Sequence, residues 1–488
     1  MDTVCVSPEA VTLCRRVASL IEAGRTGAAR PLLAAARALA PDGSPELAVL
    51  SARLALRDGD AEAALRGLDD AIAQAPGHAP LHKARAEAHL SRRDAEAAAR
   101  DAAEAVTLDR SDTEAKALLG NALLALGRTA EAAACLGEAV EDAVGEAVAA
   151  APRTLAWREA LATALEAGGQ PEAALDVLAR GVSLAPSHIG LRNAAMLICI
   201  RQRDFHAAIH LAEEARAIGI ADACTFGMQG HALTSLGAHD AAALAYEEAL
   251  KLGPHDPYVR HLAAASGCMS GTWRAPAEYV TTVFDGYADR FESHLITLGY
   301  SVPARIRDAV ARHPAMQAGC PLGPALGPAL DLGCGTGLMG LVLSDLPVGP
   351  ITGVDLSPRM LAQARAKGLY ADLREADILA VLQEEGQWRL ITAADVLVYF
   401  GALEDVFTAV QARLAPGGWF AFSLEARPPG EAGWALHRLG RYAHAEAYVR
   451  HALTEAGLCL LRCDALPMRR EADTLVPGLL VVAERPGA

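Results

Sequence analysis

The stretch Asp331-Leu332-Gly333-Cys334-Gly335-Thr336-Gly337 decides the fold of the C-terminal half of the chain. The apolar residues Pro328-Ala329-Leu330 precede it like a short buried strand, and Leu338-Met339-Gly340-Leu341-Val342-Leu343 follows with helical apolar spacing. The stretch therefore predicts a strand, a glycine turn and a helix. Glycines permit a tight turn and let backbone N–H groups approach a ligand at the helix N-terminus. This is the arrangement with which doubly wound α/β domains hold nucleotide-like ligands.

The size and charge of the chain limit what it can be. Its 488 residues exceed what one hydrophobic core supports, so two or three domains are expected. The formal net charge of −15 argues against nucleic acid as a partner, because phosphate backbones attract clustered Lys and Arg. The ten cysteines form no C-x-x-C pair, which favours reduced thiols and predicts no metal site.

The N-terminus has no signal-peptide pattern, and the longest apolar run, at residues 196–200, is too short to span a membrane. We therefore expect a cytoplasmic protein without membrane contact. The abundance of alanine, and of arginine over lysine, is typical of a GC-rich bacterial genome.

The N-terminal half repeats itself with a period of about 34 residues. Closing prolines recur at Pro41, Pro76, Pro186 and Pro254, with one insertion of eight residues between the second and third. Seven turn pairs share this spacing, namely Gly24-Arg25, Gly59-Asp60, Arg93-Asp94, Gly127-Arg128, Gly169-Gln170, Arg203-Asp204 and Gly237-Ala238. An alanine follows five residues after the start of each turn, and another small residue comes seven further on. Small residues at these offsets let paired helices approach closely.

This helix–turn–helix period resembles the tetratricopeptide repeat. The resemblance implies an α-solenoid of about seven repeats over residues 1–262, followed by a linker at 263–278. Such arrays form a concave groove that binds a peptide or partner protein. The alternative is that the repeats only cap, dimerise or rigidify the second domain.

A helix is expected where the second domain begins, because Val280, Phe284, Tyr287 and Phe291 fall at helical spacing. It is interpreted either as a packed amphipathic helix or as a lid that places Tyr287 or Phe291 against a ligand. The second domain is predicted to span residues 279–488 and to include this helix.

The identity of the ligand depends on the next strand, Ile351-Thr352-Gly353-Val354-Asp355. An acid at the tip of the second strand can accept hydrogen bonds from both ribose hydroxyls. Dinucleotide folds use the same device, so Asp355 does not by itself separate a dinucleotide from S-adenosylmethionine.

Five motifs in order resemble those of class I S-adenosylmethionine-dependent methyltransferases. They are the D-x-G-x-G-x-G turn at 331–337, Asp355-Leu356-Ser357-Pro358-Arg359-Met360-Leu361, Ala376-Asp377-Ile378, the strand at 390–397 and the turn and strand at 414–422. The resemblance implies a Rossmann-like α/β domain with a seven-stranded mixed sheet, closed by C-terminal strands near 458–465 and 475–484. The cofactor would be S-adenosylmethionine, and the product S-adenosylhomocysteine.

The similarity is closest to bacterial predicted methyltransferases that carry tetratricopeptide repeats. The segments that carry it are Phe284 to Phe291, Ala394 to Tyr399 and Gly440 to His444. The resemblance implies that Asp377 contacts the adenine amino group and Ile378 the adenine ring. The residues assigned to the cofactor are Tyr287, Phe291, Asp331, Gly333, Cys334, Gly335, Gly337, Asp355, Leu356, Met360, Asp377, Ile378, Asp395 and Val396.

Methyl transfer to a protonated acceptor needs a base, whereas other acceptors need only alignment and exclusion of water. The candidate catalytic residues are His444, Tyr399 and His294, with His437 as a further histidine. Each histidine is alternatively a structural or surface residue. Asp395 is expected to orient the cofactor side of the site rather than act as a base.

The sequence narrows the class of the methyl acceptor but does not identify it. The strand at 390–397 is not followed by Asn/Asp-Pro-Pro-Tyr, and the chain has no Pro-Cys nucleophile, which argues against planar amino groups of adenine or glutamine and against cytosine C5. The reactions that remain possible are O-, N- or C-methylation of a small molecule, or of a protein delivered by the repeats. The alternative is a non-catalytic scaffold whose second domain binds S-adenosylmethionine for a structural or sensing role.

Overall fold

The computed structural model describes residues 8–39, 43–143, 145–313, 326–471 and 474–487. Its contacts divide the chain into two compact units, Met1–Ile220 and Ala221–Ala488. Pro41 lies outside the described residues. The predicted domain limits at residues 262 and 279 remain predictions. Within the described ranges, no helix is long and apolar enough to cross a membrane.

The first unit consists of helices. They are α1 (Pro8–Glu22), α2 (Thr26–Leu39), α3 (Pro45–Arg57), α4 (Ala61–Gln74), α5 (Ala79–Ser91), α6 (Ala95–Leu108), α7 (Thr113–Ala125), α8 (Thr129–Asp142), α9 (Glu146–Ala149), α10 (Pro152–Ala167), α11 (Pro171–Leu184), α12 (Ile189–Arg201) and α13 (Phe205–Ala217). The short α9 lies in the insertion.

The repeat pattern explains how these helices pair. The first residue of each predicted turn has a left-handed backbone, with φ of 70° at Gly24, 84° at Gly59, 61° at Arg93, 73° at Gly127, 77° at Gly169, 63° at Arg203 and 77° at Gly237. The next residue caps the following helix in three repeats, where the side chains of Asp60, Asp94 and Asp204 accept a backbone N–H. The small residues that lie five and twelve positions after the first residue of each turn are buried in the described helices.

The second unit begins with α14 (Ala223–Ser235), α15 (His239–Leu252) and α16 (Pro257–Ala265). Next come α17 (Ala277–Asp285), a 3-10 turn (Ala288–Arg290), α18 (Phe291–Thr297) and α19 (Val302–Val310). The helices among the strands are α20 (Leu338–Leu343), α21 (Pro358–Lys367), α22 (Ile378–Val381), a 3-10 turn (Leu397–Tyr399), α23 (Glu404–Arg413) and α24 (Glu446–Glu455).

The strands are β1 (Ala329–Leu332), β2 (Ile351–Asp355), β3 (Asp372–Glu375), β4 (Trp388–Ala393), β5 (Leu414–Ala426), β6 (Trp434–Leu436), β7 (Tyr442–His444), β8 (Cys459–Glu471) and β9 (Thr474–Glu484). Strands β3, β2, β1, β4 and β5 are parallel neighbours in that order. Strand β9 then pairs antiparallel with β5, and β8 pairs with β9. These seven strands form the predicted mixed sheet.

Two short strands extend the sheet beyond that prediction. Strand β4 pairs with β5 as far as Phe422, and β7 pairs with β5 at Glu425 and Ala426. Because β9 also pairs with Glu425, β7 occupies the edge of β5 that β4 leaves open. Strand β6 pairs antiparallel with β7.

Both faces of the sheet are covered by packed side chains. Leu330, Leu332 and Phe420 belong to one core cluster, together with residues of α22–α24. Ala329, Ile351 and Trp419 belong to the other, together with residues of α19 and α20. Successive residues of a strand point to opposite faces of the sheet, and here both sets are apolar. Both faces of the sheet are therefore apolar, as expected for a parallel sheet covered on both sides.

Candidate functional site

The glycine turn after β1 lies against the segment that follows β4. Gly333, Gly335 and Gly337 have φ angles of 66°, 53° and 91°. A Cβ on Gly333 would lie 2.5 Å from Cγ2 of Val396, so a side chain there would displace the segment after β4. A Cβ on Gly335 would have its closest contact with Cε1 of Phe291, at 3.8 Å. A carbon in this place would be in ordinary van der Waals contact with the ring, so Phe291 lies directly beside this part of the turn.

Asp355 ends β2 beside this turn. Its Oδ2 accepts the N–H of Gly335 at 2.8 Å, and its Oδ1 accepts the N–H of Ser357 at 2.9 Å. Burial raises the pKa of this carboxyl, while these backbone donors oppose the rise. Each carboxylate oxygen has a second acceptor position, so Asp355 can bind ligand hydroxyls without losing either contact.

Asp331 lies behind the turn rather than beside Asp355. Its side chain is buried and accepts the hydroxyls of Tyr370 at 2.8 Å and Thr392 at 2.9 Å. The Tyr370 hydroxyl in turn accepts the N–H of Gly340 at 3.0 Å. Asp331 thus connects β1, β4 and the start of α20, and supports the glycine turn from below.

The segment from α17 to α18 is fastened over the turn. The Ser357 hydroxyl donates to Asp285 at 2.5 Å, and Nζ of Lys367 donates to Glu292 at 2.7 Å and to the Thr336 carbonyl at 2.6 Å. Tyr287 and Phe291 pack edge to face, with ring centroids 5.6 Å apart. The single helix expected over 280–291 is instead divided into α17, a 3-10 turn and α18, because α17 ends at Asp285 before Gly286. The segment packs against the glycine turn and α21, and its role as a lid stays a prediction.

Asp377 follows β3 and caps α22, because its Oδ1 accepts the N–H of Leu379 at 2.9 Å. Its carboxylate also forms an ion pair with Arg274, whose Nη2 lies 2.9 Å from Oδ2. The guanidinium of Arg274 lies over the rings of Trp273 and Phe400. The neighbouring Ile378 is buried.

A cluster of charged side chains follows β4 and β5. Asp395 has a left-handed backbone, with φ of 55°, and its Oδ1 accepts the Ser423 hydroxyl at 2.9 Å. Its Oδ2 lies 3.3 Å from Nη1 of Arg469. Arg469 also pairs with Glu425, and Nε of Arg441 lies 2.8 Å from Oε1 of the same glutamate. Burial raises the pKa of the Asp395 carboxyl, while the charge of Arg469 opposes the rise.

The candidate catalytic residues lie in different places. His444 has no exposed surface, and its Nε2 lies 3.0 Å from the Gly401 carbonyl. Burial lowers the pKa of His444 to about 4 and raises that of Tyr399 to about 12. Tyr399 packs edge to face on Phe284, whereas His294 packs on Tyr287. His437 is exposed.

The remaining predicted residues surround the turn. Met360 is buried at the start of α21, and its N–H donates to the Ser357 hydroxyl at 3.1 Å. Cys334 is buried, and burial raises the pKa of its thiol. Leu356 and Val396 are half-buried, and Gly337 immediately precedes α20.

These residues fit an adenosyl ligand at the carboxyl ends of three adjacent strands. The tips of β3, β2 and β1 carry Asp377, Asp355 and the glycine turn, in that spatial order. Neighbouring strands lie about 4.8 Å apart, so the row covers roughly 10 Å, enough for an adenine and its ribose. The carboxylates have acceptor capacity for hydroxyl and amino donors, and the ring of Phe291 lies beside Gly335.

Sequence reasoning missed Arg274, Ser423, Glu425 and Arg469. Their partners are 16 to 103 positions away along the chain, so no local pattern joins them. The sequence marks Arg441 only as part of the segment 440–444. Side chains along β5 alternate between the two faces of the sheet, which places Ser423 and Glu425 on the same face. This alternation is the sequence signal that could have predicted that the two residues lie together.

Comparisons with known proteins agree with this arrangement. Residues 329–418 match a family described as "Methyltransferase domain", and residues 20–88 and 225–256 match families described as "Tetratricopeptide repeat". The trans-aconitate 2-methyltransferase of Paracidovorax citrulli is 30% identical over 190 residues, which are 38% of this chain and 65% of that protein. The ubiquinone biosynthesis O-methyltransferase of Bordetella avium is 32% identical over 106 residues, 20% of this chain and 43% of that one. The chain thus spans less than two thirds of either relative.

Among solved structures, the magnesium protoporphyrin IX methyltransferase of Synechocystis PCC 6803 with bound SAH is similar at 18% identity and a TM-score of 0.32, covering 42% of this chain and 99% of that one. The family matches confirm the two kinds of domain predicted from the sequence and their order along the chain. This chain carries tetratricopeptide repeats in its N-terminal part and a methyltransferase domain in its C-terminal part.

Proposed function

We propose that this chain transfers a methyl group from S-adenosylmethionine to an acceptor, and that its repeats recruit the acceptor or a partner protein. The observation that carries the proposal is the row of strand tips in which Asp377, Asp355 and the glycine turn follow one another. Asp355 would accept the ribose hydroxyls, and Asp377 with Ile378 would contact the adenine. Both known relatives named above are methyltransferases, and one is named as an O-methyltransferase.

Bound S-adenosylmethionine supplies an already activated methyl group, so the protein mainly aligns the acceptor and excludes water. The segment that holds Tyr287 and Phe291 covers the turn and would provide that exclusion. A base with a pKa of about 4 and no exposed surface is poorly suited to remove a proton from an acceptor, which argues against His444 in that role. We propose instead that His444 holds the Gly401 turn, while Tyr399 and His294 lie on the cofactor side of the lid.

An oxygen acceptor in a small molecule is the form of the proposal that the relatives favour, and a protein acceptor is the alternative. The proposed partner of the repeats is a protein or peptide. Transfer of labelled methyl from S-adenosylmethionine to a bacterial cell extract, followed by separation into small-molecule and protein pools, distinguishes the two acceptor classes.

The cofactor site is tested by isothermal titration calorimetry with S-adenosylhomocysteine. Replacing Asp355 by Asn removes the charge from two hydrogen bonds to the ribose, so we expect Kd to rise about tenfold to a hundredfold. Asp372→Asn, at the exposed start of β3, is the matched control and should bind like the wild type. Failure of the wild-type protein to bind either S-adenosylmethionine or S-adenosylhomocysteine would contradict the proposed function.

A protein that binds the cofactor, labels nothing in the extract and retains a stable partner would instead be a scaffold with a sensing domain. That outcome separates the two functions that the sequence leaves open.

A further inference from the structure

The row of strand tips continues past the glycine turn. The strands lie in the order β3, β2, β1, β4 and β5 across the sheet, and the glycine turn lies at the tip of β1. The next two tips carry Asp395, just after β4, and Glu425, in the last part of β5. If the nucleoside lies over β3 to β1, the methyl acceptor lies over β4 and β5. On this arrangement the side chains at those two tips lie on the acceptor side, so Asp395, which the sequence assigns to the cofactor, would belong to the acceptor side instead.

These two tips carry a network of four charged groups. Arg469 bridges Asp395 and Glu425, while Arg441 binds Glu425 from the position just before β7, the strand that extends the sheet at this point. The network lies next to the cofactor turn, because Val396, which follows Asp395, packs against Gly333. Charged groups in this position are costly, since a buried ion pair is often no more stable than an apolar replacement.

The backbone at this site is strained as well. Asp395 is one of three residues other than glycine with a left-handed backbone among the described residues, and the other two, Arg93 and Arg203, form repeat turns. A non-glycine residue in this region costs of order 1–3 kcal/mol and is concentrated at functional sites. The Ser423 hydroxyl accepts the N–H of Asp395 and donates to its carboxylate, both at 2.9 Å, and so holds this conformation.

The two arginines differ in their access to a ligand. Arg469 exposes 6% of its side chain and Glu425 8%, whereas Arg441 exposes 23%. Tyr399 lies close enough to both arginines and both acids for their charges to act on its hydroxyl, and it packs beneath Phe284 of α17. Arg441, the more exposed of the two arginine side chains, thus lies close to Tyr399 and to Tyr279 of α17, whereas Arg469 is enclosed.

Resting on the proposed function, we infer that Arg441 binds a carboxylate of a small-molecule methyl acceptor. Arg469 is a positioning residue, because it fixes Glu425, which in turn orients the guanidinium of Arg441. A guanidinium presents a planar fork of donors that matches a carboxylate, and the low exposure of the surrounding groups strengthens such a pair. A neutral or cationic acceptor would not use this fork.

The test uses the full chain, labelled S-adenosylmethionine and the small-molecule pool of a bacterial extract. Half of the pool is treated with a carbodiimide and methylamine, which converts carboxylates into amides, and is then freed of reagents. We expect the wild-type protein to label the untreated pool and to lose about tenfold or more of that labelling with the amidated pool. Label that persists after amidation would contradict the inference while leaving the proposed function intact.

The role of Arg441 is tested with the fraction of the untreated pool that accepts label. Arg441→Gln should raise the apparent KM for this fraction about tenfold to a hundredfold, with kcat changed by less than about threefold. Arg441→Lys should recover part of the loss, since it keeps the charge but not the fork. Arg438→Gln, in the exposed turn before β7, is the control and should behave like the wild type.

Binding of S-adenosylhomocysteine shows whether Arg441→Gln is folded, and its Kd should stay within about twofold of the wild-type value. A fall in kcat at unchanged KM, or a weakened cofactor, would contradict a role in acceptor binding. A wild-type protein that labels neither pool contradicts the proposed function and the inference with it, and label that enters only the protein pool contradicts the inference alone.

Discussion

Asp331 shows how a single buried carboxyl group can support the glycine turn. It is the first residue of the glycine-rich stretch, yet its side chain is enclosed and bound by the hydroxyls of Tyr370 and Thr392. Burial raises the pKa of Asp331 to about 7, because neither hydroxyl carries a charge that would balance the carboxylate. A protonated carboxyl can also donate to one of these hydroxyls.

The raised pKa of Asp331 predicts the sign of a pH effect on stability. The unfolded chain releases this proton near pH 4, whereas the folded chain holds it up to about pH 7. The folded state therefore binds more protons in this window, and the free energy of unfolding should fall as the pH rises through it. Asp331→Asn does not titrate, so its free energy of unfolding should depend less steeply on pH between about 4 and 7.

Chemical denaturation followed by tryptophan fluorescence measures this effect, since four of the five tryptophans belong to the C-terminal unit. Asp345→Asn is the opposite control: Arg307 lowers the pKa of Asp345, so its contribution is lost as the pH falls. An Asp331→Asn curve that runs parallel to the wild-type curve would mean that Asp331 is ionised in the folded protein at pH values well below 7.

Residues that act through their neighbours in sequence could be predicted, and those that act through distant partners could not. The position of Asp355 at the tip of β2 could be predicted, because the strand that it ends is the next one along the chain after the glycine turn. Arg274 contacts Asp377, which is 103 positions away, and nothing in a linker of mixed composition marks one arginine for that contact. His444 is a candidate only because it lies in the segment 440–444 that resembles one methyltransferase subgroup, whereas its burial depends on how β7 packs.

At the scale of elements, the seven helical turns are determined by local geometry. The first residue of each turn is left-handed, and glycine fills five of the seven positions. Other residues pay a steric cost in that conformation, while glycine does not. The turns and helix pairs could therefore be predicted from spacing alone. The β6–β7 extension could not, because its strands have three residues each and owe their pairing to the free edge of β5.

Two glycines in the same helical pair provide a test of this account. Gly127 has φ of 73° in the turn before α8, and Gly137 lies within α8. A Cβ would meet no atom within 4 Å at either position, so only the backbone distinguishes them. Gly127→Ala should lower the free energy of unfolding by about 1 kcal/mol, whereas Gly137→Ala should raise it by about 0.5–1 kcal/mol.

Thermal and chemical denaturation of the two variants, followed by circular dichroism at 222 nm (a wavelength that reports helix), gives both values. Shifts of the same sign in the two proteins would show that the backbone conformation at Gly127 does not control the turn.

At the scale of the whole molecule, the compact C-terminal unit begins at Ala221 and includes α14 to α16. The last of these helices is built into the methyltransferase domain. Nε2 of the buried His261 lies 2.8 Å from the carbonyl of Gly440, and the rings of His261 and Tyr279 are 4.4 Å apart. The Tyr442 hydroxyl donates to the carbonyl of Thr272 at 2.6 Å. The segment 440–444 thus joins α16, the final helix of the repeats, to β7, which Arg441 immediately precedes.

This connection predicts that two truncated proteins differ in stability. The fragment 221–488 keeps α14 to α16, whereas 263–488 begins at the predicted domain limit and lacks them. In the shorter fragment the Gly440 carbonyl loses its partner, and Tyr279, which is 5% exposed in the full chain, becomes open to water. Loss of a few kcal/mol in a domain of this size lowers Tm by roughly 5–10 °C. Differential scanning calorimetry of both fragments measures the difference.

The full-length variant Gly440→Ala tests the same contact without truncation. Gly440 has φ of 81°, which strains any other residue, and a Cβ there would lie 2.5 Å from the hydroxyl oxygen of Tyr279, so this buried side chain of α17 would have to shift. We expect a lower Tm and, because Arg441 is the next residue, a higher apparent KM for the acceptor at an unchanged Kd for S-adenosylhomocysteine. Equal melting of the two fragments, together with wild-type kinetics of Gly440→Ala, would place the structural boundary at residue 262 and leave the repeats free of the acceptor site.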